Sequence, residues 1–565
     1  MTIAHYGPSP NPLEDWHTLL ESPPERIAID TETVSINDIT LLGVGLCSDG
    51  DNGFYISHED PEFGDVVDII LQNPYTSKVY HNAPFDLRVL RAYEADITNI
   101  DDTLLMARLL PEPVATLEDL AFWVGRQTNS MRTLMDAFRV SKASELPFEV
   151  LAEKCCRDSI VTRALYDYYA SNIDMDYYHW LRPMISIFNR ISRQGLKLDQ
   201  DRLQELNKYY LQKVSLYRQL CTAQGVNPAS PQQVGYYLAS RGNFLPLSKK
   251  GSQLVTDDEH LIKLKDPMSH VILNFRHHSK MESTYIRPFL GLARAYTTLR
   301  MDGRTGRANS TKAGQDQPDR NLQNIPKQAE RGDAPSIRGA FIPDNGVFTK
   351  LDQSQGELRV LAELSQDQAM IDIFLANEDI HGYVQQRTGL TRTLAKNLNF
   401  GLMYGGDVQT IADFLHWTNL SLVEELLARH RTMFPRAWEW LEDQEKLGLS
   451  QGYVTTRRGR KMLLPVEQGE KHMRNCARNY PIQGTAFECM VDLMTEPTII
   501  EHLDITRLQV HDELIMDGVV VVEDMKLNPT ETSKEGHPVY DVRERMAWLS
   551  GFYLPLQVQY VERWG

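Results

Sequence analysis

Two aspartates far apart in the sequence, Asp352 and Asp512, have the local surroundings of metal-binding carboxylates. Asp352 ends a run of β-forming residues at 347–352, and a helical pattern begins a few residues later. Asp512 stands at the bend of a predicted hairpin, in the segment Gln-Val-His-Asp-Glu at 509–513. A single aspartate at a strand end is more often a solvated surface acid. Two strand-borne aspartates could instead share two Mg²⁺ ions, which stabilise the attacking and leaving oxygens in phosphoryl transfer.

Between these aspartates, residues 391–405 predict a helix with a row of functional side chains. Arg392, Lys396, Phe400 and Tyr404 recur every four residues and therefore lie along one slowly drifting face. At about 1.5 Å per residue, Arg392 and Phe400 would be roughly 12 Å apart. The row thus spans a nucleoside triphosphate, with cations at the phosphates and a ring near the sugar and base. Taken alone, it also fits an amphipathic helix with a solvated basic edge.

The N-terminal part of the chain contains a second set of carboxylates. Asp30 and Glu32 lie on a predicted strand at 26–32, where alternate residues face the same side. Asp86 follows a predicted strand-to-helix turn, and Asp158 lies on a predicted helix. Any one of them alone fits a surface acid. The four together could hold two metal ions about 4 Å apart.

The elements that must carry these residues follow from the hydrophobic patterns. β-rich runs at 41–47 and 53–58 predict an antiparallel meander, so residues 1–175 are typical of an α/β unit. The next region is mainly helical. Its predicted helices cover residues 181–193, 203–222 and 266–290.

The C-terminal part mixes strands with helices. A helix is predicted to begin at Tyr480, and another is predicted over 537–550. Alternation at 556–560 predicts a final strand. Polar segments at 308–320 and 523–536 lack periodicity and predict loops.

The charge of the chain is unevenly distributed. A length of 565 residues predicts three or four compact units, and the net charge of −17 alone would argue against a nucleic-acid partner. Residues 1–175 hold 29 acidic and 12 basic residues, whereas the remaining 390 hold 47 of each. The C-terminal part can therefore present a local basic track to a phosphate backbone, although a solvated basic surface is the alternative. The candidate track consists of Arg457, Arg458, Arg460, Lys461, Lys471, Arg474 and Arg478.

Other features of the composition exclude several protein classes. No apolar run reaches the length of about 18 residues that a membrane span needs, so we expect no membrane partner. The N-terminal segment is acidic and lacks a basic-then-apolar leader, so we expect no secretory signal. The six cysteines form no CxxC pair, which favours reduced thiols and a cytoplasmic location.

The segments around Asp352, Arg392 and Asp512 together resemble motifs A, B and C of the family A DNA polymerases. The family patterns are Asp-Tyr-Ser-Gln-Ile-Glu-Leu-Arg, then Arg-x3-Lys-x3-Phe/Tyr-x3-Tyr-Gly, then His-Asp-Glu, and all three occur here in order. Gln353 replaces the usual tyrosine and Gly356 the usual isoleucine. Neither position carries the metal through its side chain, so these departures concern local packing.

The N-terminal carboxylates resemble the DEDD 3′–5′ exonucleases, whose fold is ribonuclease H-like. The resemblance rests on Asp-x-Glu, Asn-x3-Asp and Asp-x3-Thr in order, and it implies Asp30, Glu32, Asp86 and Asp158 as catalytic metal ligands. One position departs: Lys154 replaces the tyrosine or histidine that orients the attacking water. An ammonium cannot accept a proton and could pair with the carboxylate one helical turn away, which predicts a weakened exonuclease. The alternative has Lys154 in solvent and Cys155 or Tyr166 adjusting the site.

The resemblance also implies roles for residues of the polymerase part. Asp352, Asp512 and Glu513 would be catalytic, with two Mg²⁺ held by the aspartates; Mn²⁺ could substitute. Glu357 would crowd the sugar 2′ position. The implied nucleotide-binding residues are His381, Arg392, Lys396, Phe400, Tyr404, Glu357 and Gln355. The implied DNA-binding residues are Arg307, Asn321, Gln323, Asn324, Asn479, Gln483 and His511.

The fold class implied by the resemblance is an α/β plus α+β multidomain protein. A ribonuclease H-like exonuclease domain would be followed by a right-hand polymerase with thumb, palm and fingers. The implied domains are the exonuclease 1–175, thumb 176–296, first palm part 297–364, fingers 365–465 and second palm part 466–565. The implied partners are primer–template DNA and deoxynucleoside triphosphates, with a processivity or replisome partner left open. We expect no separate 5′-nuclease domain, and the compact size points to a phage enzyme acting in the host cytoplasm.

The resulting hypothesis is a template-directed DNA polymerase that extends a primer 3′ end and carries a proofreading exonuclease domain. One alternative is an exonuclease whose C-terminal half only binds nucleic acid, but a passive binder needs no triphosphate-binding row. Another is a structural nucleic-acid-binding module with decayed sites. Seven metal-type carboxylates in motif context argue against that module.

Overall fold

The structure is a computed structural model in which the chain divides into two compact units. The larger unit consists of Met1–Gln194, Tyr296–Gln323 and Thr349–Gln559, and the smaller of Gly195–Ala295, Asn324–Phe348 and Tyr560–Gly565. Within the described residues, no helix has the length and apolar character needed to cross a membrane. The described residues are 3–93, 96–112, 115–248, 251, 253–311, 320–327, 335–353, 355–403, 405–415, 417–520, 529–532, 538–541 and 555–564.

The N-terminal part of the larger unit is built on a six-stranded sheet. The strands are β1 (Ile3–Tyr6), β2 (Arg26–Thr33), β3 (Leu41–Cys47), β4 (Gly53–Ser57), β5 (Ser77–Tyr80) and β6 (Ile100–Asp102). Their order is β1-β4-β3-β2-β5-β6, with β5 and β6 parallel to β2 and the other pairs antiparallel. The predicted meander is confirmed, and it places Asp30 and Glu32 on the central strand β2.

Helices pack against this sheet, and α7 carries functional residues. The helices are α1 (Pro12–Glu21), α2 (Phe63–Asp65, followed by a π-helical turn Val66–Leu71), α3 (Ala83–Val89), α4 (Thr103–Ala107), α5 (Leu117–Trp123), α6 (Met131–Phe138), α7 (Phe148–Ala170), α8 (Met175–Leu181) and α9 (Pro183–Gln194). A Cβ at Gly45 of β3 would lie 2.5 Å from the backbone oxygen of Cys155. Glycine therefore lets α7 approach the sheet closely, beside the acidic residues of β2.

The middle of the chain contains most of the smaller unit. The elements of the smaller unit are β7 (Leu196–Leu198), α10 (Gln200–Thr222), α11 (Pro231–Ser240), α12 (Asp258–Ile262), α13 (Pro267–Tyr285), β8 (Arg294–Ala295) and β11 (Phe341–Ile342). The same stretch of sequence also contains three strands of the larger unit: β9 (Thr298–Arg300), β10 (Asn309–Thr311) and, from Thr349 onward, β12 (Phe348–Gln353). α10 and α13 pack together, and the side chains of Asp199 and Asp266 cap their N-termini. β7, β8 and β11 form a small antiparallel sheet of the smaller unit.

The C-terminal part completes the larger unit with a second six-stranded sheet. Its elements are α14 (Gly356–Ser365), α15 (Gln368–Leu375), α16 (Ile380–Thr388), α17 (Arg392–Met403), α18 (Val408–Leu415), α19 (Leu420–Met433), α20 (Pro435–Gln451), β13 (Tyr453–Thr455), β14 (Lys461–Leu463), α21 (Glu470–Met494), α22 (Pro497–Glu501), β15 (Thr506–Val510), β16 (Glu513–Asp517), β17 (Pro529–Thr532), β18 (Pro538–Asp541) and β19 (Pro555–Val561). The sheet order is β15-β16-β12-β19-β18-β17. Asp352 thus lies on a strand that neighbours the hairpin of β15 and β16.

Two helix predictions about the C-terminal part are wrong, and two segments predicted as loops contain strands, β10 (Asn309–Thr311) and β17 (Pro529–Thr532). The helix expected to begin at Tyr480 begins at Glu470, and Pro481 lies inside it. Proline is most often found in the first turn of a helix, so it gave a misleading start signal here. Residues 538–541, predicted as helical, form β18 because they pair with β17 and β19. The rest of that predicted helix lies outside the described residues.

Candidate functional site

The predicted hairpin is present, and a backbone hydrogen bond joins it to the strand of Asp352. β15 and β16 pair antiparallel, and Val510 faces Glu513 across the bend. His511 adopts a left-handed conformation, with φ of 56°, and both His511 and Asp512 are exposed. The backbone N–H of Gln353 donates to the backbone oxygen of Asp512 at 2.9 Å. This bond holds the half-buried Asp352 beside the bend that presents Asp512.

Glu513, the acidic residue that follows Asp512, has a cationic partner. The Nζ atom of Lys350 lies 3.0 Å from Oε2 of Glu513, and both side chains are about 5% exposed. Lys350 is on β12 and Glu513 begins the neighbouring strand β16. The buried pair therefore ties the two metal-type segments together, and Lys350 compensates the charge of Glu513.

Gln323, predicted to contact the DNA duplex, is buried and hydrogen bonded to the hairpin. Its Nε2 donates to the backbone oxygen of Gln509 at 2.9 Å and lies 3.1 Å from the side-chain oxygen of the same residue. Gln509 in turn donates to the backbone oxygen of His511 at 2.6 Å. The structure thus places the Gln323 amide where it supports the bend next to Asp512.

Glu357 and Arg307, which the sequence assigned to different tasks, form an ion pair. The guanidinium of Arg307 donates to Oε1 of Glu357, whose side chain is 13% exposed. Glu357 lies in the first turn of α14, and Gln355 caps that helix in a left-handed conformation with φ of 53°. The pair orients the carboxylate that the sequence assigned to the sugar 2′ position.

The described side chains of the row on α17 contact neighbouring residues. Arg392 is exposed and its Nε donates to Oδ2 of Asp379 at 2.7 Å. The ammonium of Lys396 lies 5.9 Å from the ring centroid of Phe400, within reach of a cation–π interaction. Tyr404, the last residue predicted for this row, lies outside the described residues.

His381 lies at the start of α16, where the helix cap fixes its backbone and burial determines the protonation of its ring. Asp379 caps the helix by accepting hydrogen bonds from the backbone N–H groups of His381 and Gly382. The His381 ring is 5.9 Å from the ring of Phe400. Burial lowers the pKa of His381 to about 4, and Asp379 offsets only part of this effect. His381 is therefore neutral near pH 7.

A cavity of about 340 Å³ brings together side chains from five separate stretches of the sequence. Several of the predicted site residues line it together with Gln353, Phe487 and Gln509. The five stretches are the segment before β10, β12 with the start of α14, α17, α21 and the hairpin, so residues far apart in the sequence meet in one cavity. The predicted residues in the wall are Arg307, Gln355, Glu357, Phe400, His511 and Asp512.

The remaining residues predicted to bind DNA have different environments. Asn321 accepts a hydrogen bond from the Ser310 hydroxyl at 2.6 Å. Asn479 and Gln483 lie one turn apart on α21, and the Nδ2 atom of Asn479 is buried without a hydrogen bond among the described residues. Asn324 is exposed and belongs to the smaller unit.

The candidate basic track at 457–478 is largely neutralised by acidic partners. Arg458 binds Asp492 with two hydrogen bonds of 3.0 and 2.8 Å, and Lys471 lies 2.8 Å from Asp407. The other pairs are Arg457 with Glu363, Arg474 with Glu470 and Glu445, and Arg478 with Glu445. Arg460 is buried, at 6% exposed. The acids Glu363, Glu445 and Asp492 are remote in sequence, whereas Glu470 lies one turn from Arg474, and the role of these basic residues in DNA binding stays a prediction.

In the N-terminal part, β2, α3 and α7 converge on one cluster of carboxylates. β2 brings Asp30 and Glu32, and α7 brings Asp158. Asp86 lies on α3, whose first turn follows Asn82 in a left-handed conformation with φ of 73°. Three of the four carboxylates are buried, and Asp30 is half-buried.

Every carboxylate of this cluster is bonded by a donor from within the protein. Lys154 donates to Oε1 of Glu32 at 2.9 Å and to Oδ2 of Asp158 at 2.6 Å. The remaining bonds come from neighbouring residues: Cys155 Sγ to Asp30 Oδ2 at 3.3 Å, Thr31 N and Oγ1 to Asp86 Oδ1 at 3.1 and 2.7 Å, and Thr128 Oγ1 to Asp158 Oδ1. Lys154 is 10% exposed, so its side chain points into the cluster and not to solvent. Tyr166 packs against Arg26, whose guanidinium carbon lies 4.1 Å from the centroid of the Tyr166 ring.

The electrostatics of the cluster follow from burial and mutual proximity. Burial raises the pKa of Asp86 to about 8, against the opposing hydrogen bonds from Thr31. Burial, with Asp158 and Glu32, raises the pKa of Asp30 well above its ordinary value. Burial alone would lower the pKa of Lys154, but Glu32, Asp158 and Asp30 together raise it well above its ordinary value. Lys154 is therefore an ammonium ion.

The two acidic sites differ in how well they suit the divalent metals that the family resemblance implies. Asp352 and Asp512 offer carboxylate oxygens on adjoining segments, a donor set that suits Mg²⁺. In the N-terminal cluster, ligand atoms of Asp30, Glu32 and Cys155 lie within 4.8 Å of one another. A thiol is a soft ligand that Mg²⁺ does not favour, and the Lys154 ammonium already binds two of the four carboxylates. While Lys154 is bound in this way, the cluster fits two divalent ions less well than the site of Asp352 and Asp512 does.

Several residues that shape these sites escaped the sequence analysis. Lys350 and Gln509 adjoin the motif aspartates but are polar residues of predicted strands, which carry no functional signal by themselves. Asn399 and His430 hydrogen bond to each other at 2.9 Å inside the core near His381. A polar residue within a helical hydrophobic pattern was the only signal that could have drawn attention to Asn399.

Comparison with family models gives two matches that together cover most of the chain. Residues 198–531 match the model for DNA polymerase family A. Residues 10–174 match the model for a 3′-5′ exonuclease domain. The second match covers the sheet and helices that carry the N-terminal carboxylate cluster.

Several curated proteins named DNA polymerase I are similar to this chain. The protein from Chloroflexus aurantiacus is 30% identical over 568 residues, an alignment of 90% of this chain and 58% of that protein. The protein from Synechocystis sp. is 27% identical over 87% of this chain and 56% of that protein. A thermostable DNA polymerase I from Thermus aquaticus is 34% identical over 45% of this chain and 32% of its own length. The chain thus spans a little over half the length of the first two relatives.

A solved structure shares the fold over nearly the whole chain. It is the POL domain of Pol1 from M. smegmatis, in complex with DNA primer-template and dNTP. The TM-score is 0.76 with 22% sequence identity, and the match covers 99% of both chains. At this level of identity, the likeness concerns the fold.

Proposed function

Because the chain belongs to DNA polymerase family A, we propose that it is a template-directed DNA polymerase with an attached 3′–5′ exonuclease domain. The primer 3′-hydroxyl would attack the α-phosphate of a deoxynucleoside triphosphate and release pyrophosphate. The observation that carries this proposal is the cavity that brings Arg307, Glu357, Phe400 and Asp512 together. These substrates occur in the cytoplasm, which is the location that we propose.

In this proposal, Asp352 and Asp512 hold two Mg²⁺ ions, which Mn²⁺ could replace. When bound, these ions supply positive charge that lowers the pKa of the primer hydroxyl and stabilises the pyrophosphate. Arg392 and Lys396 bind the triphosphate from α17, and Asp379 orients the Arg392 guanidinium.

The incoming nucleotide would be selected at the Phe400 end of the row. Phe400 packs against the sugar, and Glu357 excludes a ribose 2′-hydroxyl by occupying the space beside it. Arg307 holds Glu357 in place through their ion pair. Within the larger unit, the path of the nucleotide and duplex would be lined by Gln355, His511, Asn321, Asn479 and Gln483. The buried Gln323 amide would support this surface by bonding to the hairpin. Asn324 of the smaller unit stays a predicted duplex contact.

For the domains, we propose the exonuclease at 1–175, thumb at 176–296, palm at 297–364 and 466–565, and fingers at 365–465. The exonuclease would trim a mismatched primer end through Asp30, Glu32, Asp86 and Asp158. Because Lys154 bonds two of these carboxylates, we propose that this activity is slow compared with extension.

Primer extension on a labelled primer–template tests the proposal directly. The parent should give longer products when all four deoxynucleotides and Mg²⁺ are present. Asp352→Asn and Asp512→Asn should abolish extension, because a neutral amide is a poor metal ligand, yet leave degradation of single strands unchanged. Asp504→Asn is the matched control, because Asp504 is exposed and pairs with Arg190. Shorter products alone from the parent would favour a nuclease with a non-catalytic C-terminal half.

A further inference from the structure

A chain of hydrogen bonds leads from α20 through the core to His381. The indole Nε1 of Trp438 donates to Nδ1 of His430 at 3.2 Å. Nε2 of His430 lies 2.9 Å from Oδ1 of Asn399, and Nδ2 of Asn399 lies 2.9 Å from Nδ1 of His381. His430, Asn399 and His381 are 6%, 3% and 4% exposed, so water does not compete for these bonds.

The chemistry of the first donor sets the direction of every bond in this chain. An indole N–H can only donate, so Nδ1 of His430 must be an acceptor. A neutral imidazole carries one proton, which must then be on Nε2 of His430, and that N–H donates to the oxygen of Asn399. The amide nitrogen of Asn399 is left to donate to Nδ1 of His381. The remaining proton of the His381 ring is therefore on Nε2.

We propose that Trp438, His430 and Asn399 are positioning residues that hold His381 in the tautomer with its proton on Nε2, ready to donate to a phosphate oxygen of the bound nucleotide. This inference rests on the proposed function, which gives His381 a triphosphate to contact. Nε2 of His381 makes no hydrogen bond with any of the described residues. The three positioning residues themselves do not touch the nucleotide.

The tautomer matters because the His381 ring is neutral before a nucleotide binds. Burial lowers the pKa of His381 to about 4 and that of His430 to about 3, so neither ring is an imidazolium near pH 7. The charged groups around His381 are Asp379, which favours the imidazolium, and Arg392 and Lys396, which oppose it. With its proton on Nδ1, a neutral His381 would turn a lone pair towards an anionic oxygen. Only the Nε2–H tautomer contributes an attractive contact.

The first test removes the Trp438 indole N–H, the donor that sets the direction of the hydrogen bonds leading to His381. Trp438→Phe keeps an aromatic ring at this position of α20 but removes the indole N–H and part of the ring volume, a loss that the control below reproduces. In ¹⁵N-histidine NMR of the full chain, we expect the His381 ring signals to change from a pure Nε2–H tautomer to a mixture. His381→Gln identifies these signals by removing them. Trp440→Phe is the matched control: Trp440 lies on the same helix, and its indole bonds none of the described residues.

The same variants then test whether the tautomer of His381 affects nucleotide binding. We expect Trp438→Phe to weaken binding of a complementary deoxynucleoside triphosphate to the protein on a dideoxy-terminated primer–template by about two- to tenfold. Trp440→Phe should bind like the parent, and thermal unfolding should show both variants folded. A weaker affinity in both variants to the same extent would overturn the proposal.

A second test replaces the amide that transmits the direction. The carboxylate of Asn399→Asp can only accept, so Nδ1 of His381 must carry the proton, and Nε2–H then exists only in the imidazolium. The new carboxylate raises the pKa of His381, so nucleotide affinity relative to the parent should fall as the pH rises through that pKa. The ratio of the variant's affinity to the parent's affinity at each pH cancels the titration of the nucleotide itself. A ratio that stays constant from pH 5.5 to 8.5 would overturn the proposal.

The readouts separate this inference from the function on which it rests. If the parent binds no nucleotide, the proposed function fails, while the NMR tautomer still tests the chain of bonds. If the His381 signals of Trp438→Phe match those of the parent, the chain does not set the tautomer. If the tautomer changes but nucleotide affinity does not, His381 does not donate to the nucleotide, and the proposal is overturned.

Discussion

The Nζ atom of Lys154 lies 2.6 Å from Oδ2 of Asp158, one turn further along α7. The same ammonium is 2.9 Å from Oε1 of Glu32, and all three side chains are at most 10% exposed. Lys154 thus places a positive charge among the carboxylates that the sequence analysis assigned to metal binding. Its position explains how so many buried acids are tolerated, since buried charges need partners.

Lys154→Tyr should speed degradation of a labelled single strand at saturating Mg²⁺ in single-turnover measurements. The substitution removes the ammonium that binds Glu32 and Asp158, and it adds a hydroxyl that can orient water. We expect an increase of at least about tenfold, in line with one positioned acid–base group. Lys142→Tyr, at an exposed position of the same part of the chain, controls for a general effect. No increase would mean that lysine does not limit the activity.

Lys154→Met should lower the free energy of unfolding by roughly 3–5 kcal/mol in the presence of a chelator, because it leaves two buried carboxylates without their cation. Added Mn²⁺ should restore part of this loss, because a metal that binds only the folded state stabilises it. Denaturant unfolding gives both values. The parent and the Lys154→Met variant should both carry Asp352→Asn and Asp512→Asn, so that metal bound by Asp352 and Asp512 does not contribute to stability. Equal stability of the two proteins with chelator would contradict a compensating role for Lys154.

Phe400→Tyr should relax discrimination against chain-terminating dideoxynucleotides. The family resemblance implies that a phenolic hydroxyl at this position gives tolerance of these nucleotides, and Phe400 lines the same cavity as Glu357. The ratio of kcat/KM for a deoxy- and a dideoxynucleotide measures the effect, and we expect it to fall by about tenfold or more. Phe414→Tyr, on the neighbouring helix α18, should leave the ratio unchanged. If both variants match the parent, Phe400 does not contact the sugar.

Glu357→Ala should admit ribonucleotides, because it empties the space assigned to the 2′-hydroxyl. Glu357→Gln keeps the size of the side chain but loses the charged pair with Arg307. We therefore expect ribose discrimination to survive in the glutamine variant and to fall about tenfold or more in the alanine variant, measured as the kcat/KM ratio of the two sugars. Loss of discrimination in both would assign the selectivity to the ion pair, and preserved discrimination in both would exclude Glu357 as a steric gate.

Glu488→Gln should make the stability of the protein less dependent on pH. Burial raises the pKa of Glu488 from 4.5 to about 7, more than the hydrogen bonds from Thr456 and Tyr177 lower it. A raised folded-state pKa means that the folded protein binds more protons between these values, so stability is lost as the pH rises from about 4.5 through 7. The glutamine, which does not ionise, should avoid this loss, which amounts to about 3 kcal/mol over the full range and to about 2 kcal/mol between pH 5.5 and 8. Denaturant unfolding at pH 5.5 and 8 checks this.

The matched control for that measurement is Glu501→Gln, because Glu501 is exposed on α22. It should show the same pH dependence as the parent. If Glu488→Gln follows the parent across the pH range, Glu488 is ionised in the folded protein throughout.

The local elements at the candidate sites were predictable because they depend on neighbours in the sequence. The strand of Asp352, the hairpin of Asp512 and the helix from Arg392 follow from alternation, turn residues and a helical period. Asp30 and Glu32 were assigned to one strand face for the same reason. The motif resemblance then supplied the family, which the matching models confirm.

What the tertiary structure alone decided is which side chains meet. Lys154 and Glu32 are 122 positions apart, and only the packing of α7 on β2 brings their charges together. Arg458 and Arg478 of the expected basic track pair with Asp492 of α21 and Glu445 of α20, and the Gln323 amide turns inward to Gln509. The direction of the bonds from Trp438 to His381 likewise depends on three-dimensional contacts. Sequence periodicity specifies the face on which a residue lies, whereas burial and hydrogen bonding to remote partners determine its charge and its role.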